Sequence, residues 1–350
     1  MLRRPARPTL AGVVMWALGI AVIVGVVAGA IATLTSGGIS GTTWTRLIVA
    51  GLSQGAIYAL IALGYTLVYG VLLMINFAHG EVFMLGAFAG LFVAGALLGV
   101  DGPLFDQPII GLLIVFAAAM VTSMIVALLL ERVAYRPLRR APRLVPLITA
   151  IGASLFLQYT AFGLFGPRTR RYPSVEFLEG RVTILGLEFA TVQLVTIVAA
   201  VVLMAILYYV VEYTRTGRSM RAVSEDKDVA ALMGIDVDRT IVTTFAIGGL
   251  LAGAAGVMYA FLFLNVDFGM GILPGIKAFT AAVLGGIGNL AGAAIGGVVI
   301  GIMERVAPTL VLFGFGVPSP GQLSDVVAFG VLVLVLIFRP AGFFGRKENV

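Results

Sequence analysis

The chain has 350 residues, of which 60% are hydrophobic and only 11% charged, with 45 glycines and a formal net charge of +6. Soluble domains carry about 25% charged residues, so the composition predicts an all-α polytopic membrane protein. Eight to ten spans of ~20 residues fill it and leave no room for a soluble catalytic domain. The absence of cysteine excludes disulfides, thiolate catalysis and Cys-ligated metals, and the lone histidine, His79, excludes a histidine pair for zinc.

The N-terminus, MLRRPARP, is basic and precedes an apolar run from Thr9 to Leu34. That run is too long for a signal-peptide core and TSGGISG is a poor cleavage site, so the expectation is a retained first span. Further spans are expected at Leu47–Val71, Asn76–Val100, Ile109–Leu130, Leu144–Phe165, Thr191–Tyr213 and Thr240–Leu264. Two short apolar pieces follow, Ile276–Leu284 and Leu290–Arg305, then a last span at Leu323–Phe338. Three divisions result: residues 1–46 as tail, first span and linker, 47–345 as the transmembrane domain, and 346–350 as a C-terminal tail.

With both termini inside, 16 of the 23 Lys and Arg residues fall on the cytoplasmic side, five fall outside, and Lys277 and Arg305 lie at membrane depth. Loop Lys and Arg residues set membrane topology. The bias therefore favours an even number of spans, ten by this reading, and gives the positive charge a role that has nothing to do with nucleic acid.

Residues 51–90, GLSQGAIYALIALGYTLVYGVLLMINFAHGEVFMLGAFAG, are apolar enough for lipid, yet contain Asn76, His79 and Glu81. Such side chains are costly at bilayer depth and face a protein interior or a wet path. The expected geometry is a helix ending near Gly70, a new one N-capped by Asn76, and Glu81 in or just after its first turn. Discontinuous membrane helices of this kind line substrate paths in transporters, although the same residues also serve to cap a structural break. A second interruption, Gly285-Gly286-Ile287-Gly288-Asn289, sits between the two short pieces of the second half. One break per half suggests an internal repeat around a central path. Gly286, Gly288 and Ala291 also fit a loose GxGxxA, but its flanks are membrane helix rather than a βαβ unit. Glycines at small-xxx-small spacing (Gly51/Gly55, Gly86/Gly90, Gly249/Gly253, Gly292/Gly296, Gly297/Gly301) read as close helix contacts.

The sequence contains no GxxxxGK[ST] loop. Glu81, Lys277 and Glu304 are widely spaced and do not make a proton relay. Any active transport must then draw its energy from a partner. The loop Thr214–Arg239 offers a docking surface, with Arg221, Glu225, Asp226 and Asp228 beside an apolar run from Ala230 to Met233. Ser224 as N-cap and Gly234 at C′ predict a short amphipathic helix there, as against an ordinary solvated loop.

The stretch from Gly51 to Phe88, the segment GRSMRAVSEDKDVAALMGID and the segment KAFTAAVLGGIGNLAGAAIGGVVIGIMERV carry a resemblance to a known family. They resemble the membrane permease subunit of the high-affinity branched-chain amino acid ABC importer, the LivH type, and ERVAYRPLR fits it as well. The resemblance covers roughly Gly51 to Gly345. It implies a bacterial inner-membrane protein paired with a second, related permease subunit, two cytoplasmic ATPases and a periplasmic binding protein that delivers leucine, isoleucine or valine. ATP and Mg would be held by the ATPases, and no cofactor by this chain.

Carried over, Arg221, Ser224, Glu225, Asp226, Ala230 and Gly234 would form the coupling helix. Asn76, His79 and Glu81 would lie at the first broken helix, and Gly285, Gly286 and Gly288 at the second. Apart from the resemblance, Lys277 at membrane depth is a further candidate for the substrate path. Much of the selectivity would belong to the binding protein. Two other readings stay open at this point: the same machine carrying urea or short amides, and an ATP-independent secondary transporter using Glu81 or Lys277. A scaffold without transport is a third.

Overall fold

Apolar runs of about 20 residues in lipid satisfy their backbone groups only as helices or closed barrels, and the helix-forming composition here selects helices. The computed structural model describes residues 10–98, 107–139, 141–142, 144–184, 186–339 and 342–344. The basic tail with Arg3, Arg4 and Arg7, most of the turn at 101–108 and the tail 346–350 lie outside the described residues.

The first helices are α1 (Leu10–Ser36), α2 (Gly41–Leu72), α3 (His79–Leu98), α4 (Pro108–Leu130) and α5 (Leu144–Phe165). A small outer region holds β1 (Arg170–Arg171), α6 (Glu176–Glu179), β2 (Arg181–Ile184) and β3 (Leu187–Ala190). It is followed by α7 (Thr191–Tyr213), α8 (Arg215–Glu225), α9 (Lys227–Leu232), α10 (Val237–Phe263) and β4 (Asn265–Val266). The chain closes with α11 (Ile272–Gly285), α12 (Leu290–Leu312) and α13 (Ser324–Phe338). Among the described residues, eight helices are long and apolar enough to cross a membrane, and α11 and the region of α13 are shorter. The expected polytopic helical fold with short helices is thus present. The segment 170–190 is more ordered than a polar loop: β2 and β3 form an antiparallel hairpin, and β1 pairs antiparallel with β4, Arg170 opposite Val266.

The helices α2, α3 and α10 are buried over most of their lengths and form the centre. By contrast α1, α4, α5 and α7 expose an apolar face, with Ile148, Leu155 and Phe156 of α5 open to the outside. The glycine pairs sit at the contacts. Gly51 and Gly55 of α2 face α12, where an added Cβ would lie 2.8 Å from the Ile302 backbone or 2.9 Å from the Gly297 carbonyl oxygen. Gly86 and Gly90 of α3 and Gly249 and Gly253 of α10 face α4, each other or their neighbours with similar closeness. Close packing of this kind supplies the helix–helix attraction that lipid, being apolar itself, does not.

Direction follows from these contacts. Gly86 lies beside Gly253, and Gly90 beside Val257, so α3 runs parallel to α10. Both point toward the end of the bundle that carries the strands, while α8 and α9 lie at the other end. The chain leaves α2 at Leu73, which takes a left-handed conformation (φ 57°) and bonds back to the Tyr69 carbonyl, two residues beyond the expected end. It then re-enters the bundle. His79 packs against Gly64 and near Gly248, about 16 Å along α10 from its start at 1.5 Å per residue. Thus α3 begins inside the protein.

Candidate functional site

The first turn of α3 is set up by backbone rather than by the expected cap. His79 N–H bonds the Asn76 carbonyl at 3.0 Å, and Ala78 supplies the first helical acceptor, to Val82. The Asn76 side chain does something else: its Oδ1 accepts the Tyr135 hydroxyl at 2.6 Å. The side-chain cap is absent because a buried tyrosine hydroxyl already takes that oxygen.

His79 is buried, its ring edge-on to Tyr65 at 5.0 Å, and its Nε2 has no hydrogen-bond partner among the described residues. Gly64 makes room for it, since a Cβ there would overlap the imidazole.

Glu81 is 1% exposed. Its Oε1 takes a long hydrogen bond from Ser154 of α5 at 3.4 Å, and Oε2 has no partner among the described residues. This carboxylate lies in the first turn of α3 and also beside the start of α11. A Cβ on Gly271, the residue before α11, would sit 2.8 Å from Glu81 Oε2 and 2.5 Å from the Gly80 carbonyl oxygen. Gly80, Gly271 and Gly275 let the two helix starts meet backbone to backbone. Both helix N-termini carry partial positive charge, which favours an anion at that point. The place at these helix starts that suits an anion is therefore filled by the protein's own carboxylate. What is left unsatisfied there is an acceptor, suited to a cationic or donor group.

A polar line leads away from Glu81 toward the strand end. Ser154 and Gln158 lie one turn apart on the largely apolar α5, and the amide of Gln158 and the carboxylate of Asp267 both flank Gly269. Sequence reading missed Ser154 and Gln158. Their four-residue spacing on an apolar helix was the available signal.

The second-half break lies elsewhere. Gly285, Gly286 and Gly288 form the hairpin between α11 and α12, at the far end of α11 from Gly271. The Phe343 N–H bonds Leu284 O at 2.8 Å, Asn289 Nδ2 bonds Phe344 O at 3.2 Å, and Asn289 Oδ1 caps α12 through Gly292 N–H. The structure does not bring these glycines to Asn76; it brings Gly271 and Gly275 to Gly80 instead.

Lys277 and Glu304, widely spaced in sequence, form a buried ion pair at 2.7 Å because the hairpin folds α11 onto α12. Lys277 Nζ also reaches Asp325 of α13 at 2.6 Å. Gln54 Nε2 donates to Glu304 Oε1 at 2.9 Å, and Arg305 Nε donates to Gln54 Oε1 at 2.6 Å. Lys277 thus pairs with two carboxylates, and Gln54 links Glu304 to Arg305, across four helices. Lys277 belongs to this network, separate from the Glu81 contacts.

The expected single coupling helix is two. Asp226, not Ser224, is the N-cap of α9: its Oδ1 accepts from Asp228 N–H and Val229 N–H at 2.8 and 3.0 Å. Ser224 lies inside α8 and bonds the Arg221 carbonyl, and Glu225 ends α8. The Arg221 guanidinium folds back on α7, pairing with Glu212 at 3.2 Å. Ala230 is buried, and Gly234 (φ 83°) closes α9 as expected, with Ile235 N–H to Ala230 O and Gly234 N–H to Ala231 O. Val229, Leu232 and Met233 point outward, Leu232 being 87% exposed.

Residues 47–336 match the family model described as branched-chain amino acid transport system / permease component. The chain belongs to this permease family. The permease is 42% identical to the high-affinity branched-chain amino acid transport system permease protein BraD of Pseudomonas aeruginosa, over 87% of this chain and 97% of the relative. It is 40% identical to the permease protein LivH of Escherichia coli K12, over 85% and 94%. A shorter match, 27% identical over 39% of the permease and 41% of the relative, is to the probable branched-chain amino acid transport permease protein LivM of Methanocaldococcus jannaschii. The long relatives extend through both the Glu81 region and α8–α9, so the permease shares a common framework with them at both places.

Proposed function

We propose that this permease moves branched-chain, or other small neutral, amino acids across the bacterial inner membrane as one membrane subunit of a binding-protein-dependent ABC importer. The α8–α9 end is cytoplasmic in this reading, with both termini on the same side, in accord with the Lys and Arg bias. Two ATPases carrying ATP and Mg dock on α8 and α9. A second, related permease covers the exposed face that includes α5, and a periplasmic binding protein meets the strand end and delivers the amino acid.

The observation that carries the reading at residue level is Glu81, a buried carboxylate with an open acceptor at the meeting of two helix starts. An amino acid passing between α5 and α3 offers an ammonium group to that acceptor, with Gln158 and Ser154 as steps toward it. Urea and neutral amides carry no such cation, so Glu81 favours an amino acid over the alternative cargo. Asn76 and His79 shape the turn behind Glu81. The transition between outward- and inward-open forms is a movement of α3 and α11 against each other at Gly80 and Gly271, driven by ATP-dependent closure of the ATPases.

The test is leucine uptake into sealed liposomes holding the permease, its second permease and both ATPases, with loaded binding protein outside. Uptake should require internal or ATPase-accessible ATP and should fall when Glu81 becomes Gln. Leucine movement by the isolated chain along an ion gradient, without nucleotide, would defeat the importer reading in favour of a secondary transporter.

A further inference from the structure

Between α8–α9 and Glu81 lies a set of side chains with no part in the substrate path as drawn above. It begins where α4 ends. Leu130 is followed by one π-helical turn, Glu131–Tyr135, and a 3-10 turn, Arg136–Leu138. Pro137 is the cause: it has no N–H to continue the α-helical ladder and disfavours helical geometry in the residue before it. The wider turn is closed by the Arg136 N–H on the Glu131 carbonyl. Single π turns inside helices recur at functional places.

The turn is clasped at both ends. Arg139 donates to Glu131, 2% exposed, and to Asp238 of α10, while Arg136 Nη2 reaches the other Asp238 oxygen at 3.0 Å. Asp238 lies four residues past Gly234, the cap of α9, so α9 and the clasp share the same short connection. Burial, and next the neighbouring Arg139, hold the Lys227 ammonium of α9 below its usual lysine range, in keeping with that closeness. At the inner end Tyr135 is fully buried, its ring 5.6 Å from Phe245 of α10, and its hydroxyl donates to Asn76 Oδ1 at 2.6 Å. Asn76 in turn holds the first N–H of α3, at His79, two residues before Glu81.

We infer that Tyr135 is a positioning residue for transport, carrying displacement of α8–α9 through the Asp238–Arg139–Glu131 clasp to Asn76 and the start of α3. The inference rests on the ATP-driven reading above. Its physical basis is that the two inner joints, Arg139 to Glu131 and Tyr135 to Asn76, each have a buried member, while the outer joint at Asp238 is open to the surface. Giving up either inner bond leaves a desolvated group unpaired, so the links move together before they separate. A buried hydroxyl aimed at a buried amide is the least replaceable joint, since water does not reach it.

The test is Tyr135→Phe in the complete four-subunit complex with loaded binding protein, measuring leucine taken up per ATP hydrolysed. Phenylalanine keeps the ring packing and removes only the hydroxyl. ATP hydrolysis should stay near wild type while leucine per ATP falls on the order of fivefold, at the low end of coupling strengths between sites. Tyr135→Phe combined with Asn76→Ala should be no worse than the more severe single change, because both remove one bond. Asp238→Asn, which changes a largely exposed side chain, probes the outer joint without disturbing insertion and should lower the same ratio. An unchanged ratio in Tyr135→Phe overturns the inference. So does a fall of hydrolysis and uptake together in step with the amount of folded complex, which is what a merely structural role produces. A wild-type complex whose uptake needs no ATP would instead defeat the importer reading, and it would do so before any variant is made.

Discussion

The imidazole of His79 rests against the bare α-carbon of Gly64, so that a methyl group at position 64 would occupy the space of Nε2 and lie 2.6 Å from Cε1. A residue at the first turn of α3 is thereby tied to the middle of α2, and the placement of Glu81 two residues later depends on it. Gly64→Ala is expected to destabilise the permease by about 1–3 kcal/mol, the usual cost of overpacking, and to reduce uptake. Adding His79→Ala should recover part of the stability, because it removes the clash. Thermal unfolding of the purified protein in detergent checks both; an unaffected single variant would show that the two residues do not press on each other.

Glu81→Gln keeps the shape and the acceptor oxygen but loses the charge. If an ammonium group passes there, uptake should drop on the order of tenfold, a difference of about 1.4 kcal/mol in transition-state stabilisation. Glu81→Asp should retain more activity than Glu81→Gln. Ser154→Val, on the polar line of α5, should slow uptake less than either. The check is initial-rate uptake at matched protein levels, and a Glu81→Gln complex as fast as wild type would remove the carboxylate from the path.

Lys277 and Glu304 stabilise the hairpin only together. Lys277→Met alone leaves Glu304 buried beside Gln54, and Glu304→Gln alone leaves the lysine with Asp325. Lys277→Met should cost about 3–5 kcal/mol, the penalty of an uncompensated buried charge, and Glu304→Gln less, because Asp325 still pairs with the lysine; the double change should cost less than the sum. Melting temperatures of the three variants read this directly. Strict additivity would mean that the pair contributes through separate contacts.

Gly234 has a positive φ that side chains other than glycine adopt at a cost of roughly 1–2 kcal/mol. Gly234→Leu should therefore tilt or fray α9 and weaken recovery of the ATPases with the permease while insertion into the membrane is unchanged. Leu232→Asp, at the most exposed apolar position of α9, should do the same without backbone strain. Co-purification with a tagged ATPase is the measurement, and full recovery in both variants would place the docking surface elsewhere.

How much of this was readable in advance varies by feature. The spans, the interruption between Leu72 and His79 and the closing role of Gly234 follow from local rules: apolar length, a polar interruption, and a glycine after a short helix. The glycine pairs likewise announced contacts, though not which helix would fill each one. Asn76 was read as a cap since asparagine before a helix usually caps it, and that expectation failed because Tyr135, 59 residues away, claims the same oxygen. Ser224 lost its capping role to Asp226, whose carboxylate stands nearer the turn where the chain changes direction.

Composition and order along the chain determined that this is a bundle of lipid-length helices with one helix start buried inside it, since both depend on residues within a few positions of one another. Only the folded protein decided that Gly271 meets Gly80, that Lys277 meets Glu304, and that the second glycine-rich break serves a hairpin at the other end of α11. Those pairings depend on how whole helices cross, and backbone contacts between glycines leave no side-chain pattern by which their partners are named in advance.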